Sequence, residues 1–157
     1  MNSFYALFAL VIGLVVPLQA AINNQLKAMI GGSTLLAALV SFVVGCITLL
    51  LISLASGQKL GALAGIAKAE PWMLAGGLLG AMFVFGTTLI APKLGAASMM
   101  ALIISGQVIA SLLFDRFGWL GLPLRELSWP RLAGAALIVV GVLLVNFGDQ
   151  FASARSA

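Results

Sequence analysis

The charged residues of this chain fall between long apolar segments, and this distribution constrains the fold more than any other feature. Only eight Lys and Arg and four Asp and Glu occur among 157 residues. Five windows have no charge at all: 1–26, 28–58, 71–92, 94–114 and 132–148. A helix needs about 20 residues, with a range of roughly 17–25, to cross a hydrocarbon core of about 30 Å. Every window is long enough, so the sequence predicts five membrane-spanning helices.

Composition also indicates that lipid is the solvent. Hydrophobic residues make up 62% of the chain and charged residues 8%, whereas soluble domains have about 45–50% and 25%. The apolar runs are continuous and do not alternate with polar residues, which favours helices over barrel strands. The sequence therefore predicts an all-α integral membrane protein, with one five-span domain over 1–148 and a short polar tail over 149–157. The predicted spans are about 4–23, 34–55, 71–91, 95–114 and 130–147.

Several classes of function and site are not supported by the sequence. The basic residues stand singly at predicted span ends, as anchors to membrane lipid, and form no stripe for nucleic acid. Histidine is absent, Cys46 has no neighbouring base, and the four acids lie at separate span ends. We therefore expect no enzyme activity, no metal site and no cofactor. Cys46 is interpreted as a small packing residue, and residues 1–22 as a mature first helix without a basic signal-peptide n-region.

Small residues are expected to hold the spans together, because burial against lipid tails gives no net hydrophobic gain. Gly76 and Gly80 form a GxxxG pair in the third span. Glycine also recurs every seven residues along the fifth span, and serines give the fourth span a small face. The residues of these two groups are Gly134, Gly141 and Gly148, and Ser98 and Ser105.

Uncharged polar residues inside the spans are the candidates for a binding site. Gln19 and Asn23 lie one turn apart on the first span, just after Pro17, and Gln107 and Ser111 lie one turn apart on the fourth. A bare amide in lipid is costly, so these side chains should face the interior of the bundle. Two interpretations stay open: they hydrogen-bond helices together, or they line a polar cavity.

Asp115 is the acid nearest to a span, at the end of the fourth. Either it forms an ion pair with its neighbour Arg116 at the membrane surface, or it contributes to a substrate site or to proton coupling. No acid lies in the middle of a span.

Three segments, residues 17–26, 91–119 and 131–146, resemble the YdcZ family of the drug/metabolite transporter superfamily. The resemblance implies a ten-helix fold of two five-helix halves in inverted orientation, of which this chain would be one half. Family members occur as single five-span chains, pairs or fusions. The related small multidrug resistance exporters carry a glutamate in their first helix, and this chain has none there. The matching residues are Pro17, Gln19, Asn23, Leu26, Pro92, Leu94, Gly95, Gly106, Gln107, Asp115, Gly118, Gly134 and Gly141.

The expected topology has five basic side chains on the side of the N-terminus and three on the other, which favours a cytoplasmic N-terminus. Because the bias is slight, the chain could insert both ways. The expected partner is a second copy in opposite orientation, giving an antiparallel homodimer, or a paralogous five-span chain.

The expected function is secondary transport of a small organic solute across the bacterial cytoplasmic (inner) membrane. Substrate contacts would come from Gln19, Asn23, Gln107, Ser111 and Asp115. The alternatives are a non-transport membrane scaffold or assembly protein, and a subunit of a heterodimeric small-multidrug-type exporter.

Overall fold

A computed structural model describes the backbone of residues 3–153 and the side chains through Asp149. Residues 154–157 of the predicted tail, including Arg155, lie outside this part of the chain. Most of the described residues are helical, and none of them forms a strand. The five α-helices are α1 (Ser3–Met29), α2 (Thr34–Ala55), α3 (Ala75–Leu94), α4 (Ala96–Phe117) and α5 (Trp129–Ser153). Short 3-10 helices also occur in the connectors, at Leu60–Lys68, Pro71–Leu74 and Trp119–Gly121.

Five helices of the described chain are long and apolar enough to cross a membrane. They correspond in number and order to the five charge-free windows. The charged residues of these helices lie near their ends, because an ionised side chain at the bilayer centre costs about 2.5–3.5 kcal/mol on insertion scales. The prediction of an all-α membrane protein with five spans is confirmed.

Several helix ends differ from the predicted ones. α1 continues from Asn23 through the polar residues to Met29, since a helix satisfies its own backbone hydrogen bonds whatever its side chains are. It ends where Gly31 and Gly32 adopt positive φ angles of 77° and 81°, which glycine tolerates. Ser33 then caps α2, its hydroxyl accepting a hydrogen bond from the backbone N–H of Leu36 at 3.2 Å.

Proline and glycine also proved weaker stops than the sequence suggested. Pro92 lies in the last turn of α3; it removes one backbone hydrogen bond to the preceding turn, and the helix continues for two more residues, to Leu94. Gly148 lies inside α5, since one glycine in a helix costs only about 1 kcal/mol. At the other end of the third span, Pro71–Leu74 form a 3-10 turn, and the α-helix begins at Ala75.

The chain forms two compact units, residues 1–93 and 94–157. In the first unit α1 packs against α2, and α3 approaches α2 at Gly80, where a Cβ would stand 3.4 Å from the ring of Phe42. In the second unit α4 packs against α5.

Most of the glycines expected to mediate packing have open space beside them within their own unit. Among the described residues, a Cβ at Gly76, Gly134 or Gly141 would meet no other atom within 4 Å. The more buried positions of α5 include Ala135, Ile138 and Val142, spaced one turn apart, and Gly141 beside Val142 is half-buried whereas Gly134 is exposed. Ser98 and Ser105 of α4 are half-buried. A packing role for these three glycines stays a prediction.

Candidate functional site

A groove of about 330 Å³ lies among the helices of the first unit and is the candidate binding site. This volume is at the lower end of the 300–1,000 Å³ found for small-molecule sites. We call it the Gln19–Ser41 groove after its two polar lining residues that can hydrogen-bond strongly. Its wall consists of Gln19, Ser41, Phe42, Gly45, Cys46, Leu49 and Val84.

The periodicity of α2 produces most of this wall. Ser41, Gly45 and Leu49 recur every four residues and therefore share one face of the helix. Gly45 has no side chain, and a Cβ there would meet nothing within 4 Å among the described residues. The groove is thus open beside Ser41, and Gln19 of α1 supplies the second polar group.

Asn23 lies behind Ser41 and connects α1 to α2. The hydroxyl of Ser41 donates a hydrogen bond to Oδ1 of Asn23 at 2.9 Å. Asn23 is only 2% exposed, and its Nδ2 is buried with no partner in the described structure. The adjacent Asn24, by contrast, donates from Nδ2 to the carbonyl of Ala20 at 3.0 Å. Because a buried unpaired polar group costs about 1–3 kcal/mol, Asn23 is held at a position that does not maximise stability.

Phe42 separates this groove from a second one of about 290 Å³, and its ring lines both. The second groove has no side chain that can form a hydrogen bond; it is lined by Leu35, Ala38, Leu39, Phe42, Ala81 and Phe85. Of these two grooves of the first unit, the Gln19–Ser41 groove is therefore the better suited to bind a solute specifically.

In the second unit, Asp115 of α4 binds Arg131 of α5. Their Oδ2 and Nη2 atoms are 2.6 Å apart, and the two side chains are 23% and 33% exposed. The predicted pairing with Arg116 is wrong, because consecutive helical residues point about 100° apart and do not face each other. The backbone carbonyl of Asp115 also accepts a bond from the N–H of Arg125 at 2.8 Å. Asp115 therefore ties α4 to α5 and to the connector between them.

The structure brings only part of the predicted site together. Gln19 and Asn23 both meet Ser41, one lining the same groove and one by a hydrogen bond. Gln107 and Ser111 are exposed on α4, and no side-chain hydrogen bond of theirs occurs within the described residues. Their role in substrate binding, and that of Asp115, stays a prediction.

Sequence reasoning missed Ser41 and interpreted Cys46 only as packing. Cys46 is exposed and lies on the groove wall next to Gly45. The available signal was an isolated serine in the apolar run of α2, with a glycine one turn further on. Within the described residues no group of three or more His, Cys, Asp or Glu could hold a metal ion.

Comparisons with known proteins place the chain among membrane proteins. A family model described as "Putative inner membrane exporter, YdcZ" matches residues 4–144. The curated "Inner membrane protein YdcZ" of Escherichia coli (strain K12) is 43% identical over 74 residues, 47% of this chain and 49% of the relative. The matched stretch thus spans about half the length of that relative. No solved structure matches the chain significantly.

Proposed function

The chain belongs to the YdcZ family of multi-pass inner-membrane proteins, and on this premise we propose that it is one half of a secondary transporter for a small organic solute. The observation that carries the proposal is the Gln19–Ser41 groove, a mostly apolar cavity with two polar side chains among membrane-spanning helices. A scaffold needs no cavity of this size with hydrogen-bonding groups in its wall, whereas a carrier needs one to hold its solute.

Incomplete hydrogen bonding also favours a cavity over simple helix-to-helix bonding. Side chains that only join helices would be expected to satisfy their polar groups, since lipid offers no alternative partner. Asn23 leaves Nδ2 unpaired, and Gln19 faces the groove. These features support the cavity interpretation of the two residues.

The complete transporter would contain two five-helix chains, the second copy inserted in the opposite orientation. Inverted repeats of this kind place a solute site near the middle of the membrane and alternate its access by rocking. The slight charge bias of five against three basic side chains supports insertion both ways, and Gly76 and Gly134 have open space for a close approach among the described residues.

The pairing can be tested by attaching a reporter to the C-terminus that is active on one side of the membrane only. We expect comparable fractions of the protein with the C-terminus on each side. A single orientation would exclude the antiparallel homodimer and leave a paralogous chain as the partner.

Transport can be tested with the purified protein in liposomes, using counterflow of a panel of labelled small amides, alcohols and amines. We expect Gln19→Leu to abolish uptake of the solutes that the unmodified protein carries. Gln25→Leu is the matched control: Gln25 is also on α1 and exposed, but it does not line the groove. Equal uptake by the unmodified protein and the Gln19 variant would contradict the proposal and favour the scaffold alternative.

A further inference from the structure

We propose that the Gln19–Ser41 groove selects a neutral solute that presents an N–H or O–H donor to Ser41, and that Asn23 sets this preference as a positioning residue. The inference deepens the proposed function and rests on it only for the movement of the solute, not for its binding.

The hydrogen of the Ser41 hydroxyl is already in use. A serine hydroxyl has one hydrogen and two lone pairs. The hydrogen points to Oδ1 of Asn23 at 2.9 Å, and Asn23 is 98% buried, so a solute in the groove cannot displace this acceptor easily. Ser41 therefore offers only lone pairs to the groove, and its complement on a solute is a hydrogen-bond donor.

The rest of the wall sets the charge and shape of the solute. None of the lining residues is charged, so an ion would lose its hydration without gaining a counter-charge. Gln19 can both donate and accept, and its amide would suit a solute carbonyl. Phe42, Leu49 and Val84 suit an apolar body. A secondary amide with a small apolar substituent combines all these features.

The orientation of the Asn23 amide decides the outcome. If Nδ2 rather than Oδ1 faced Ser41, the hydroxyl hydrogen would be free to donate into the groove, and a solute with acceptors alone would bind equally well. The structure has Oδ1 facing Ser41, which gives a measurable preference for donors.

The test compares N-methylbenzamide with methyl benzoate, which have nearly the same shape but differ by N–H against O. Cys46, the only cysteine of the chain, lies on the groove wall and reports occupancy through its rate of alkylation by N-ethylmaleimide. Probe concentrations are expressed per membrane volume, from partitioning measured in protein-free liposomes. We expect the amide to half-protect Cys46 at an about fivefold lower concentration than the ester, the effect of one neutral hydrogen bond.

Variants of Ser41 and Asn23 assign the preference to the proposed atoms. Ser41→Ala should reduce the ratio of the half-protecting concentrations, ester to amide, to about one. Ser41→Thr, which keeps the hydroxyl, should preserve this ratio. Asn23→Leu should also reduce the ratio towards one, because the freed hydroxyl can donate to the ester carbonyl. If Asn23→Leu fails to fold, the two Ser41 variants decide the matter.

Other results would overturn the inference. Equal protection or a preference for the ester in the unmodified protein would exclude Ser41 as an acceptor. A Cys46 that no reagent reaches, or that neither probe protects, would exclude a solute site in this groove. Gln19-dependent transport without the amide preference would contradict this inference but support the proposed transport function. The amide preference without any transport would support this inference but contradict the transport function.

Discussion

Each of the two units shows a polar side-chain contact between helices among the described residues, and the two contacts differ in chemistry. Asn23 and Ser41 join α1 to α2 through uncharged groups, beside an open groove. Asp115 and Arg131 join α4 to α5 through an ion pair whose side chains remain partly exposed. The first contact leaves a buried donor unpaired, whereas the second is supported by further bonds to the connector.

This difference separates a binding site from a structural tie. A charged pair near a helix end has a low desolvation penalty, because its side chains are partly exposed. It also stabilises the connector at that end. A neutral pair can lie among apolar side chains at moderate cost, and its unsatisfied group signals that stability is not its purpose. We therefore expect substitutions at Asn23 and on the wall of the Gln19–Ser41 groove to change transport, and those at the ion pair to change stability.

The largest effect is expected from filling the groove with Gly45→Leu. The new side chain has open space to enter and would occupy the volume beside Ser41 that the solute needs. Transport should fall at least about a hundredfold, equivalent to roughly 2.7 kcal/mol, while the thermal midpoint of unfolding stays the same or rises. Counterflow and thermal unfolding of the purified variant measure the two quantities.

Gly13→Leu is the control for this substitution, since Gly13 lies on α1 with open space around it but does not line the groove. It should leave transport within about twofold of the unmodified protein. An equal loss of transport in both variants would mean that a leucine disturbs either helix, and the result would then give no support to the groove as the solute site.

A smaller effect is expected where α3 approaches Phe42. Gly80→Leu would push the ring that forms the wall of the groove, because even a Cβ stands 3.4 Å from Cζ. Overpacking of this kind costs about 1–3 kcal/mol, visible as a lower midpoint of unfolding. Gly76→Leu, one turn away with no neighbour in the described chain, should not destabilise a single chain.

The Gly76 variant also tests the assembly. If Gly76→Leu destabilises the protein as much as Gly80→Leu does, an element outside the first unit packs on α3, and dimers on crosslinking of the unmodified protein would identify it as part of a second chain. Such dimers would add a contact between chains to the two contacts described within the units.

The sequence predicted the helices better than the contacts between them, for a physical reason. Insertion into lipid depends on the composition of a segment, so the five spans follow from where Lys27, Lys93 and the other charges lie. Contacts depend on which faces meet, and this is why Ser41 and the pairing of Asp115 with Arg131 were missed. Gln19 and Asn23 were predicted because an amide in an apolar run has few harmless positions, and their role in binding stays a prediction.

The ion pair should contribute about 1 kcal/mol to stability, because partial exposure weakens it. A double-mutant cycle of Asp115→Asn and Arg131→Gln measures this coupling in the free energy of unfolding. The matched cycle of Asp115→Asn with Arg116→Gln should give a coupling near zero, since Arg116 points away. If the coupling energy of Asp115 with Arg116 were larger than that with Arg131, the ion pair predicted from the sequence would be the correct one. If instead Asp115→Asn abolished transport without loss of stability, the division of roles between the units would fail.

The smallest effect on stability, and the sharpest test of the comparison, is expected from Asn23→Leu. The variant loses the bond to Ser41 but also removes a buried unpaired donor, and these two terms are each about 1 kcal/mol and opposite in sign. The free energy of unfolding should therefore change by less than about 1 kcal/mol, whereas Arg131→Leu, which leaves Asp115 without its partner, should destabilise more. Transport should nevertheless lose its preference among solutes. If Asn23→Leu proved the more destabilising of the two, Asn23 would act mainly as a bond between helices, and the polar contact of the first unit would be as structural as that of the second.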